Sequence, residues 1–93
     1  MGMDLVGKGG EISFNWAGWR YVLDFGVEYG WKPDDKTDYF TNSGQRLKNE
    51  DAKNLSIALQ KGLDEKGSEI NPHFRGKVED FANMCDKGGF TIY

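Results

Sequence analysis

A small α+β domain, with about three helices packed on a short antiparallel sheet in the order β-β-α-α-α-β, is predicted by three features of this 93-residue sequence. Apolar residues alternate at both chain ends, and three central segments carry helical periodicity. Glycine, asparagine and proline punctuate the joins between them. The length fits a single domain, residues 1–93, with a core large enough to need no metal or disulfide staple.

The first strand is expected around Met3 to Val6 and the second around Ile12 and Phe14, joined by a turn at Gly7-Lys8-Gly9-Gly10. That glycine-rich turn lacks the spacing and the directly following helix of a phosphate-binding loop. The first helix is capped by Asn15 and stopped by Gly30. On its wheel Arg20, Asp24 and Glu28 form a narrow polar stripe. Trp16, Trp19, Leu23 and Val27 lie beside that stripe, and Tyr21, Phe25 and Tyr29 continue the apolar surface. Such a helix is expected to be central and buried. Gly18 and Gly26 cost it helix propensity and suggest close approach of another backbone.

Residues 31–48 carry no convincing period and form a long loop, with a short strand or turn around Tyr39 and Phe40. A second helix runs from Asn49, its cap, to Glu65, with Ala52, Leu55, Leu59 and Leu63 on one face and Ile57 on the other. Asn71 and Pro72 mark the start of a third helix, which ends near Asp86 or Lys87 before Gly88. Phe74, Val78, Phe81 and Cys85 share its inner face, and Phe90 to Tyr93 alternate as a final strand.

Composition excludes several classes of function. Twelve basic against 15 acidic residues give a net charge of −3, which argues against a nonspecific nucleic-acid binder. The single cysteine makes no internal disulfide, and no Cys/His cluster has zinc spacing. Met1 to Gly10 holds Asp4, Lys8 and four glycines, so no signal-peptide hydrophobic region fits, and no apolar run approaches the ~20 residues of a membrane span. A cytoplasmic protein is expected. The 13 glycines and the three Trp, four Tyr and six Phe exceed ordinary usage and suggest tight turns around an aromatic core.

The opening Met1-Gly2-Met3-Asp4-Leu5-Val6-Gly7-Lys8, the segment Trp16-Ala17-Gly18-Trp19-Arg20, the turn Asn42-Ser43-Gly44 and the ending Phe81 to Ile92 can be taken together. They resemble a group of uncharacterised small bacterial and phage proteins. Lys87 departs from the serine usual in that group, and the segment before the Trp pair is shorter. The resemblance implies a bacterial or phage origin and carries no catalytic residue.

No complete catalytic set can be assembled. His73 is the only histidine, near a helix start, and Cys85, twelve residues on, points about 120° away on the wheel. Asp34, Asp35 and Asp38 fit no EF-hand register, so no metal and no cofactor is expected. The binding candidates are Trp16, Trp19, Arg20 and Asp24 on the first helix, and Trp31, Tyr39 and Phe40 around the long loop, because Trp, Tyr and Arg dominate interface hot spots. These residues point to a non-enzymatic module that binds a protein partner. The alternative is a small-ligand protein or minor enzyme, using a pocket walled by Trp16 and Trp19 with Arg20 at its rim. Homodimerisation through an apolar helix face is a third expectation.

Overall fold

Residues 2–32, 39 and 46–93 are described by the structure, a computed structural model. Strands β1 (Gly2–Gly7) and β2 (Gly10–Asn15) form the opening hairpin, in register from Gly7↔Gly10 to Gly2↔Asn15. Gly10, just after the turn, takes φ +121°, where a side chain would be strained. Helix α1 (Trp16–Glu28) begins on Asn15, whose side-chain oxygen accepts a hydrogen bond from the Gly18 amide at 2.6 Å. Gly30 reverses the chain beyond it at φ +104°. A two-residue strand, β3 (Arg46–Leu47), precedes α2 (Asn49–Lys66). A 3-10 turn (Gly67–Glu69) leads to α3 (Pro72–Asp86), capped by Asn71, and then to β4 (Phe90–Ile92).

Among the described residues the result is the expected α+β architecture with a further strand, β3. The sheet order is β2-β1-β4-β3, antiparallel throughout, so the C-terminal strand joins β1 and brings β3 in beside it. Strand β3 carries no sequence signal because two residues have no periodicity. Met3, Leu5, Phe14, Leu47, Phe90 and Ile92 all turn to the helix side and are buried. Asp4, Glu11, Ser13 and Arg46 occupy the other, wet face with Val6, and the Ser13 hydroxyl donates to Asp4 Oδ1 at 2.7 Å. Against the inner face Phe14, Trp19, Phe81 and Phe90 meet in tilted and edge-on pairs, with centroids 5.3 to 6.4 Å apart.

Three expectations are corrected. First, α1 is amphipathic: Trp16 and Tyr21 remain 47% and 46% exposed, while its other face buries Trp19, Val22, Leu23, Phe25 and Gly26, and α2 likewise buries one face. Both exposed aromatics have polar tips and tolerate a wet rim, which a wheel that scores them as apolar misses. Second, side chains fill the space at the helix glycines. A Cβ on Gly26 would stand 2.5 Å from Leu55 Cδ1, and one on Gly62 would stand 2.5 Å from Phe25 Cε2, so α1 and α2 each receive the other's side chain. At Gly18 the near neighbours are likewise the side chains of Asn15 and Phe74. Third, Asn49 does not cap α2. The cap position is Lys48, and the Asn49 side-chain oxygen accepts instead from the Gly89 amide at 2.7 Å, across forty residues.

Gly89 has no room for a side chain. A Cβ there would fall onto the Leu47 carbonyl oxygen and stand 3.2 Å from the Asn49 amide nitrogen, both backbone atoms unable to rotate aside. Gly89→Ala is expected to lose about 1–3 kcal/mol of stability, in the range of other overpacking substitutions, measured by urea denaturation. Unchanged stability would mean that this close approach is not part of the native state.

Candidate functional site

The two described aromatics expected around a binding loop lie in the core and not on the surface. Trp31 and Tyr39 are buried and stack with centroids 6.0 Å apart. Trp31 Nε1 donates to the Asp51 carbonyl oxygen at 2.9 Å, and the Tyr39 hydroxyl donates to Asp51 Oδ2 at 2.8 Å. Trp19, also buried, donates through Nε1 to the Tyr39 carbonyl oxygen at 2.6 Å. Trp19, Trp31 and Tyr39 therefore belong to the core, with their polar atoms satisfied inside it. Phe40 lies outside the described residues, as do Asp34, Asp35 and Asp38.

Trp16, Arg20 and Asp24 are exposed on the outer side of α1. Arg20 Nε and Asp24 Oδ2 are 4.0 Å apart, an i,i+4 pair in open solvent that contributes a few tenths of a kcal/mol. The stripe does border a hollow of about 320 Å³, but its walls are not Trp16 and Trp19. Tyr21, Phe25 and Ile70 form the walls, while Asp24, Glu28, Glu69 and Lys66 bring three carboxylates and one ammonium. Tyr21 is held in place, parallel to Phe25 at 6.0 Å and edge-on to Phe74 at 5.4 Å.

Helix α1, the last residue of α2 (Lys66) and the 3-10 turn build this hollow. Helix α1 presents Tyr21, Asp24 and Glu28 at i, i+3 and i+7, one face of a regular helix. Glu69 and Ile70 come from the end of the 3-10 turn after α2, where the Ile70 amide donates to the Gly67 carbonyl oxygen at 3.2 Å. The i, i+3, i+7 spacing could have identified Tyr21 as part of the polar stripe. Nothing local identifies Glu69, whose position depends on how α2 packs against α1.

The remaining reactive side chains lie elsewhere. His73 is exposed in the first turn of α3, where its backbone amide donates to Asn71 Oδ1 at 2.9 Å. Cys85 is completely buried, and burial pushes its thiol far above the ordinary cysteine range. Among the described residues no three His, Cys, Asp or Glu side chains are grouped to hold a metal ion. None of the described helices is long and apolar enough to cross a membrane.

Two outcomes are expected. Tyr39→Phe leaves the buried Asp51 carboxylate without its hydroxyl donor and is expected to cost about 1–3 kcal/mol in urea denaturation. Cys85 is expected to resist iodoacetamide in the folded protein through mildly alkaline pH and to react once the chain is unfolded. Rapid native-state alkylation would show that the α3 core opens locally. Comparison with known proteins adds no relative: no family model, no curated protein and no solved structure matched the chain.

Proposed function

We propose that the chain is a non-enzymatic protein-interaction module, whose α1 face receives a basic side chain of a protein partner. One observation carries this: three carboxylates, those of Asp24, Glu28 and Glu69, share with a single lysine a hollow walled by Tyr21 and Phe25. An aromatic wall beside carboxylates suits a guanidinium or ammonium group, which gains both ion pairing and attraction to the ring faces. The exposed Trp16 and Arg20 extend the same surface with residue types that anchor interfaces.

The magnitudes set the expected affinity. Solvent-exposed ion pairs contribute about 0–1 kcal/mol each and exposed cation–π contacts about 0.5–1 kcal/mol. One basic side chain therefore binds weakly, and a partner needs additional contacts on Trp16 and Tyr21. Screening by salt weakens the charged part further.

The test is an amide-shift titration with the peptide Gly-Arg-Gly-Arg-Gly. Shifts are expected to cluster at Tyr21, Asp24, Glu28 and Glu69, to shrink with added salt, and to vanish in the double variant Asp24→Lys, Glu28→Lys. All three carboxylate side chains face solvent, so that variant is expected to fold normally. Absence of shifts, or shifts centred elsewhere and indifferent to the variant, would overturn the proposal.

A further inference from the structure

Among the described residues no strand pairs with the outer edge of β2, and α3 runs alongside it. Asp4 exchanges backbone hydrogen bonds with Tyr93, its amide donating at 3.1 Å and its carbonyl accepting at 2.8 Å. The backbone of Asp4 thus faces β4, and that of Ser13, its cross-strand partner on β2, faces away from β1. By the same alternation Glu11 points its N–H and C=O outward. This edge is six residues long, with unbroken register, no proline and no lysine; the other edge, β3, is only two residues. Edges left to solvent are usually shortened, bulged or charged, and β2 carries a single charge at Glu11.

Helix α3 supplies the groove beside that edge. Two hollows of about 350 and 580 Å³ share Ile12 and Asp80, so they run together along β2. Gly76 opens into the second of them, and a Cβ built on it meets nothing within 4 Å. A mid-helix glycine costs about 1 kcal/mol relative to alanine, and no contact among the described residues requires it. Lys77 lies in the same hollow, with its Nζ 4.9 Å from the Phe14 ring centroid.

We infer that β2 pairs antiparallel with β2 of a second copy of this chain, across a two-fold axis at Ser13, to form a continuous eight-stranded sheet. That register sets Ser13 opposite Ser13, Ile12 opposite Phe14 and Glu11 opposite Asn15, so no like charges face each other. Because Phe14 lies by Phe74 and Lys77 while Gly9 lies by Met84, α3 runs antiparallel to β2. The two copies of α3 then cross the axis in opposite directions. Lys77 of each faces Asp80 of the other, and Gly76 leaves room for the approach. Complementary charges disposed symmetrically about the edge favour a second copy over an extended peptide from another protein. The inference is independent of the surface proposed on α1.

Sedimentation of the native chain tests it. The wild type is expected to approach twice 10.5 kDa as concentration rises from micromolar to millimolar. Ser13→Pro removes an outward N–H without touching the β1 ladder and is expected to weaken self-association by about tenfold or more, one step of 1.4 kcal/mol. Asp80→Lys is expected to do the same, and adding Lys77→Asp to the same chain to restore the dimer. Circular dichroism confirms that each variant is folded. A wild type that stays at 10.5 kDa at millimolar concentration overturns the inference. So does a dimer indifferent to both single variants, or pairing at this edge seen only when a different protein is added.

Discussion

Asp51 holds the interior in register. It is a charged residue only 5% exposed, and its carbonyl oxygen and carboxylate accept from Trp31 and Tyr39 respectively. A buried carboxylate is costly unless hydrogen-bonded, so α2 settles where the Tyr39 hydroxyl reaches Asp51 Oδ2, with Trp31 bonding the backbone carbonyl of the same residue. Trp19 completes the chain by donating to the Tyr39 carbonyl oxygen. Helix α1, the turn beyond it, Tyr39 and the start of α2 are thereby tied through four side chains. A shift of α2 by one turn would break these bonds together. It would also move Leu55 off Gly26 and Phe25 off Gly62, so the polar knot and the glycine sockets specify the same placement.

A second tie holds the same start of α2 from another side. The Gly89 amide donates to the Asn49 side chain, while Gly89 itself lies against the Leu47 carbonyl oxygen. The end of α3 is thus fixed to the start of α2, and β4 is delivered between β1 and β3. Ser56 adds a bond between the same two helices, its hydroxyl donating to the Ala82 carbonyl oxygen at 2.9 Å. Sheet order here follows from where α3 must end and has no separate code along the strands.

What the sequence makes legible is what depends on neighbours along the chain. Asn15 and Asn71 cap their helices because a short side-chain oxygen reaches its own helix's free amides, a local fact. Gly30 and Gly88 lie at φ +104° and +127° because helix ends favour such a residue. Asn49 has the same chemistry as those caps, yet a partner forty residues away claims its oxygen, and no local rule reveals that. Trp31 and Tyr39 fail as surface residues for the same reason, since only the buried Asp51 explains their position. The polar stripe of α1 is legible from helical spacing, whereas the hollow beside it is not, because Glu69 and Ile70 arrive through tertiary packing.

The aromatic residues finally explain how so polar a chain, with mean hydropathy −0.69, folds around one core, and they set apart the two exposed aromatics of α1. A buried aromatic removes about 150–250 Å² from water, an upper-bound contribution of about 4–6 kcal/mol each. Trp19, Trp31, Phe14, Phe81 and Phe90 supply most of that mass from a few positions, which leaves the rest of the chain free to be charged. Trp16 and Tyr21 withhold about half of their area from the core, so packing alone does not account for an aromatic at either site. Tyr21 nonetheless packs against both Phe25 and Phe74. An exposed ring already packed against two others has less freedom to lose on any further contact.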